Sequence, residues 1–381
     1  MNQLLIGKIL LIGAFQAFFL AALLIKKREK ALHDFIIGAW LIFLGLYVSV
    51  YTISPAGFFL KHPWLINLYI SLLLLNGPFL YWYVKSLIHN DFKPVREIFL
   101  HFIPFLLFNL YLIIFFSTND ILKNTEGTNA SLKIALPFTY FIFLIITAIS
   151  VPYYILWSVR LLRNHRENIT NTFSALGNRN LIWLRNLTVI LGITWTILVT
   201  IFFMHHILLL FSDDFCINGL FLTLSIFIIL VGYFGIYQPA IFTSHISEPS
   251  IDASTENIPY SGSLLKAEDI QKYLSSLSDY METNKPYLNN ELTLYQLAEE
   301  VKILPHTLSR IINEYHHQNF FDYINQYRVQ EFKAAVADPK YKNYSLLGIA
   351  FECGFNSKSA FNRMFKKSTG LTPSQFKEAN S

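Results

Sequence analysis

Acidic residues are nearly missing from the first 237 positions of this chain, which hold nine Asp and Glu. Over all 381 residues only 14% are charged, against about a quarter in a typical soluble domain. A segment so poor in charge has no polar shell to offer water, which excludes an ordinary soluble fold there. Cysteine is scarce as well. Cys216 and Cys353 are the two in the chain, too few for a disulfide framework or a cysteine-held metal cluster. Catalytic signatures are also lacking. No Gly-rich phosphate loop follows a strand pattern, and neither a Ser-centred nucleophile elbow nor a His-Glu-x-x-His spacing occurs. The chain is expected not to be an enzyme, and no cofactor or metal is expected.

What is present is hydrophobic: 53% of residues, with a mean hydropathy of +0.40. From about residue 248 the composition becomes that of a soluble protein, so two solvents and at least two domains are implied. A helix needs about 20 mostly apolar residues to cross a bilayer. Candidate runs lie near 4–25, 34–54, 64–84, 98–117, 134–158, 186–211 and 216–237. The expected class is therefore all-α, with a seven-helix transmembrane bundle over 1–237, because lipid obliges each segment to satisfy its own backbone. Lys8 interrupts the first run and can snorkel to the interface. That run reads as a retained span rather than a cleaved signal peptide.

Loop charge sets the orientation. The loops at 26–33, 85–96 and 160–185 hold twelve Lys and Arg, while those at 55–63, 118–133 and 212–215 hold three. The first set is expected in the cytoplasm. The N-terminus then lies outside, and residues 238–381 lie inside.

Some polar residues inside the spans are candidates for binding a signal. Asn76-Gly77-Pro78 falls mid-span, where proline removes a backbone donor and loosens the helix. Such a break is either a tolerated kink or the wall of a cavity. His205 and His206 lie near the outer end of the sixth run, close to Asp213 and Asp214. They form a metal or proton sensor, or a polar cluster at the interface. Asn76, His205 and His206 are accordingly the candidate ligand-binding residues. Gln16, His101 and Asn109 can bond between helices.

Residues 238–263 are rich in Ser, Pro, Thr, Glu and Asp and read as a flexible linker. Residues 264–282 place Ile270, Tyr273, Leu274, Leu277, Tyr280 and Met281 at helical spacing. This connecting helix either dimerises or docks on the next domain.

The tail, 283–381, has twelve Lys and Arg against nine acids, too mild a surplus to identify a nucleic-acid partner by charge alone. Its pattern says more. Thr293 and Gln296 form a capping box for a helix with Leu294, Leu297, Ala298 and Val301 on one face. After a break at Lys302-Ile303-Leu304, Pro305 suits the first position of a second helix. There Leu308, Ile311 and Ile312 face inward and His306, Ser309 and Arg310 outward. A longer helix, about Phe320 to Ala337, stops at Asp338-Pro339. The pattern then repeats: a Ser345-capped helix with Leu346, Ile349, Ala350 and Cys353, a turn at Gly354, and a Ser357-capped helix. The last carries Ala360, Phe361, Met364 and Phe365 inward and Lys358, Ser359, Asn362, Arg363, Lys366 and Lys367 outward. Two helix-turn-helix units joined by one helix are a far stronger signal than a single pair.

The stretch from Ile349 through Gly354, Phe355, Ser357, Phe361, Met364 and Phe365 to Gly370-Leu371-Thr372-Pro373 resembles the signature of AraC/XylS-type transcription regulators. Leu297-Ala298 and Leu308-Ser309-Arg310 resemble the first unit of that module. The likeness covers about the last 95 residues, and the layout is similar to membrane-bound regulators of this type. The resemblance implies recognition helices entering successive major-groove segments of double-stranded DNA. His306, Ser309 and Arg310 would then meet DNA from the first unit, and Lys358, Ser359, Asn362, Arg363 and Lys366 from the second. The expected place is the bacterial cytoplasmic (inner) membrane; RNA polymerase is a possible partner, since activation requires contact with it, and a homodimer through the spans or residues 264–282 is possible. The first unit departs from the pattern. Lys302 stands where a turn glycine is usual and Leu304 where a Ser or Thr cap is usual, each costing on the order of 1 kcal/mol. The reading is a one-component transcription regulator whose signal is sensed in the membrane. The alternative is a membrane receptor or transporter whose tail is only an anchor.

Overall fold

The computed structural model describes residues 3–28, 30–54, 63–89, 97–118, 129–177, 180–208, 210–237 and 267–379. The linker at 238–263 lies outside the described residues, as do most of the loops at 55–63, 85–96 and 118–133. The chain divides into two compact units. One holds Met1–Arg163 and Leu181–Glu248, and the other holds Asn164–Asn180 and Pro249–Ser381.

The first unit is built from α1 (Gln3–Lys26), α2 (Leu32–Ile53), α3 (Pro63–Ser71), a 3₁₀ turn at Leu72–Leu75, α4 (Asn76–Ile88), α5 (Glu97–Thr118), most of α6 (Asn129–Thr172), α7 (Ile182–Leu208) and α8 (Asp213–Tyr237). Helix α1 packs on α2 and α8, α2 on α4, and α7 on α8. Small residues allow the closest approaches. A β-carbon on Gly13 would lie 2.7 Å from Ser225 Cβ, and one on Gly232 would lie 2.4 Å from the Gln16 side-chain nitrogen. The turn between α1 and α2 is tied by Lys27, whose ammonium donates to both Asp34 carboxylate oxygens at 3.0 and 2.9 Å.

Five of the described helical segments are long and apolar enough to cross a membrane: Leu5–Lys26, Leu32–Ile53, Ile145–Thr172, Ile182–His205 and Phe215–Phe234. Leu100–Ile114 is a shorter apolar stretch. The outward faces are apolar too, with Phe15 71% and Leu156 68% exposed. Water does not tolerate so large a greasy surface on a monomer, and a bilayer does. The expected third span is not one α-helix. It breaks at Leu72–Leu75, one turn before Pro78. Ser71, Leu75 and Asn76 all keep right-handed helical geometry, so the path stays helical and the 3₁₀ turn just before Pro78 is where the expected loosening falls.

Helix α6 also departs from expectation. Its apolar stretch was expected to end near residue 158, but the helix runs on through Arg160, Arg163 and Arg166 to Thr172. Hydropathy reports the solvent and not the end of a helix.

The second unit contains α9 (Ala267–Asn284), α10 (Leu294–Glu300), α11 (Pro305–Tyr315), α12 (Phe320–Ala337), α13 (Leu346–Glu352), α14 (Lys358–Thr369) and α15 (Pro373–Ala379). Leu277 and Met281 of α9 are fully buried with Leu297, Leu308, Ile312 and Ile324. That packing is the docked form of the connecting helix. Among the described residues every regular element is helical, and the one bridge between extended residues pairs Phe173 with Thr293.

Candidate nucleic-acid interface

Local chemistry sets the first helix-turn-helix unit. The Thr293 hydroxyl accepts from the Gln296 N–H at 3.2 Å, and the Gln296 side-chain oxygen accepts from the Thr293 N–H at 2.9 Å. This reciprocal cap starts α10. At the far end Lys302 adopts φ 56, the left-handed turn expected of it, and the Ile303 N–H bonds back to the Ala298 carbonyl at 2.9 Å. Leu304 precedes α11 and offers no side-chain cap, while Pro305 takes the first helical position.

On α11, Leu308, Ile311 and Ile312 are buried. His306 is exposed, and Ser309 and Arg310 are half-buried on the other side. The Arg310 Nε donates to both Glu314 carboxylate oxygens at 3.0 Å. An exposed i,i+4 pair of this kind contributes only about 0.3–0.5 kcal/mol, so a phosphate can displace Glu314 at small cost.

The second unit repeats the plan with better parts. The Ser345 hydroxyl accepts from the Gly348 N–H at 3.0 Å, and the Ser357 hydroxyl accepts from the Ala360 N–H at 3.3 Å. Gly354 makes the left-handed turn at φ 90. Phe361 and Phe365 pack on Phe332 of α12 with ring centroids 4.7 and 5.3 Å away. Burying a phenylalanine contributes roughly 1.5–3 kcal/mol, so these contacts fasten α14 to the long helix.

The opposite face of α14 shows Lys358, Ser359, Asn362, Arg363 and Lys366, all exposed. The Arg363 guanidinium lies 5.8 Å from the Phe321 ring centroid. The neighbouring Lys367 is tied to Asp322 at 2.8 Å. Exposed amide, hydroxyl and guanidinium groups on one helix face can meet base edges, and the lysines can meet phosphates.

The candidates in the spans have local partners. The Trp40 indole donates to Asn76 Oδ1 at 2.9 Å, and the Asn76 amide nitrogen donates to the Leu73 carbonyl at 3.2 Å. His205 Nδ1 contacts the Phe211 carbonyl. The side chains of His206, Asp213 and Asp214 lie outside the described residues. Among the described residues no group of three or more His, Cys, Asp or Glu is placed to hold a metal ion.

Sequence reading missed the most buried polar site of the second unit. Arg328 and Asn325 of α12 are each 1% exposed. The guanidinium donates to the Tyr287, Asn289 and Ser174 carbonyls at 2.7, 2.8 and 3.1 Å, to the Ser174 hydroxyl at 3.0 Å and to Asn325 Oδ1 at 3.3 Å. Burial lowers the Arg328 pKa to about 10, so it remains charged at neutral pH. The one sequence signal was two polar residues at i,i+3 on the apolar stripe Phe321, Ile324, Val329 and Phe332.

Residues 297–379 match a family model described as a helix-turn-helix domain. No curated protein matches the chain. A solved structure of a protein of unknown function from Listeria innocua is similar at 25% identity, covering 28% of this chain and 95% of its own, with a TM-score of 0.24. The matched domain is of the AraC type, which supports DNA as a partner of the C-terminal part of this chain.

Proposed function

We propose that this protein is a membrane-held, one-component transcription regulator, in which a signal sensed by the apolar helices controls sequence-specific binding of double-stranded DNA by α11 and α14. The observation that carries the reading is the pair of helix-turn-helix units on one long helix, with α14 presenting Lys358, Ser359, Asn362, Arg363 and Lys366 outward. Base contacts by Ser359, Asn362 and Arg363 would each contribute about 1–3 kcal/mol of discrimination. His306, Ser309 and Arg310 of α11 would contact the preceding groove segment.

The placement of the tail supports the orientation. Residues 164–177 belong to the same compact unit as the tail. Two apolar helices, α7 and α8, separate them in sequence. An even number of crossings returns the chain to the side it left, so both segments share one face of a bilayer. The loop at 160–185 is arginine-rich, a composition that supports a cytoplasmic position for that face. For the signal, the membrane unit offers an apolar cleft lined by Leu73, Phe143, Trp195 and Phe202, and among the described residues the buried Trp195 indole N–H has no acceptor. The experiment that tests the function is genome-wide mapping of DNA crosslinked to the intact protein and to Arg363→Ala.

A further inference from the structure

The helix-turn-helix module is incomplete without a segment that lies more than a hundred residues before it. Ile169, at the polar end of α6, and Leu176, just beyond it, are 6% and 7% exposed. They share a cluster with Phe321, Val329, Ile349 and Phe355 of the module. Between them Phe173 forms an antiparallel bridge with Thr293. Ser174 turns its N–H, its carbonyl and its hydroxyl oxygen to the module. Its N–H donates to the Leu292 carbonyl at 3.1 Å. Its carbonyl accepts from Asn325 Nδ2 at 3.0 Å and Arg328 Nη1 at 3.1 Å, and its hydroxyl accepts from Arg328 Nη2 at 3.0 Å.

These contacts reach three parts of the module. Leu292 and Thr293 open the first unit, Asn325 and Arg328 lie on α12, and Ile349 and Phe355 belong to the second unit. The acceptors named around the Arg328 guanidinium are all neutral oxygens. A buried cation held by neutral dipoles alone needs every one of them. Without Ser174 two of its bonds vanish, and a greasy depression opens where Ile169 and Leu176 had been. Docking is therefore favoured by charge solvation and by burial together.

We infer that residues 164–177 are a tie built into the DNA-binding module, and that through them the membrane helices hold the two recognition helices at a fixed spacing. The inference rests on the proposed DNA-binding function for its consequence but not for the docking itself. The tie is continuous with α6 at one end, and α7 begins at Ile182, six residues past Leu176. A change in the spacing of α6 and α7 therefore pulls directly on Ser174. Two recognition units held rigidly bind as one ligand. Released, each searches separately and the advantage of linkage falls.

Amide hydrogen exchange of the full-length protein in lipid nanodiscs tests the docking. Amides of 169–176 are expected to exchange at least about 100-fold more slowly than open chain, together with those of α12. Exchange of 169–176 at open-chain rates while α12 stays protected overturns the inference, whether or not DNA is bound. The consequence is tested with Ile169→Asp/Leu176→Asp and a duplex carrying a mapped genomic site. Loss of protection at 169–176, retained protection in α14 and at least about tenfold weaker binding support the tie. Equal binding after 169–176 is freed overturns its role. Failure of the wild type to bind any mapped site sinks the DNA reading instead, and the exchange result stands apart from it.

Discussion

Gly354 approaches Tyr287 so closely that a β-carbon on it would lie 2.3 Å from the Tyr287 carbonyl oxygen. The same β-carbon would lie 3.0 Å from Arg328 Nε and from the Leu288 carbonyl, and the residue holds φ 90. Both backbone atoms and a buried cation would have to shift. Gly354→Ala is expected to destabilise the second unit by at least about 2 kcal/mol. Proteolytic susceptibility of the helix-turn-helix module against urea measures this, and an unchanged midpoint contradicts it.

The first unit can be improved where it departs from the second. Lys302→Gly relieves a left-handed lysine, and Leu304→Ser supplies the cap that α11 lacks. Each is expected to stabilise the unit by about 1 kcal/mol. The effects should add within about 0.5 kcal/mol only if the two sites do not share partners. A downward shift of the urea midpoint for either substitution refutes the account of this turn.

Arg328→Lys keeps the charge but replaces a planar fork of five donors with a single ammonium. The Tyr287, Asn289 and Ser174 carbonyls cannot all be reached. The expected loss is about 3–5 kcal/mol, the range for breaking a buried charged network. Wild-type stability in Arg328→Lys would show that the network is dispensable.

Cys353 is a buried thiol whose pKa is pushed up to about 12, first by desolvation and then by the nearby Glu331 and Glu352 carboxylates. The thiolate is the reactive form. In full-length protein carrying Cys216→Ser, alkylation at neutral pH should be negligible until the helix-turn-helix module unfolds. Below an unfolded value near 9.0 the folded and unfolded thiols are both protonated, so this group leaves stability flat there. Above it the folded state holds its proton more tightly, and stability falls as pH rises towards 12. Rapid labelling of the native protein at pH 7 would contradict the packing around Cys353.

Much of the module was legible because its signals are short-range. Thr293 with Gln296, Ser345 and Ser357 act within three residues, and Pro305 and Asp338-Pro339 act on their neighbours. The left-handed Lys302 was legible as a departure from the pattern. Helical spacing gives the outward faces and the family resemblance gives the role towards DNA; His306, Lys358, Ser359, Asn362, Arg363 and Lys366 are exposed, while Ser309 and Arg310 are half-buried. What the sequence hid was long-range or independent of hydropathy. Ser174 and Arg328 are 154 positions apart, and no periodicity links them. Helix α6 continues past its apolar part because Arg160 to Thr172 contains no breaker, and a polar helix is invisible to a hydropathy window. The 3₁₀ turn at Leu72–Leu75 consists of four leucines, which by propensity alone read as ordinary helix.

The most direct test of the central claim is crosslinking of the intact protein to genomic DNA in its own cells, compared with Arg363→Ala. The account predicts discrete promoter peaks for the wild type and their loss in Arg363→Ala, with normal membrane insertion of both. Absence of peaks under every growth condition, or peaks that persist unchanged in Arg363→Ala, would contradict it.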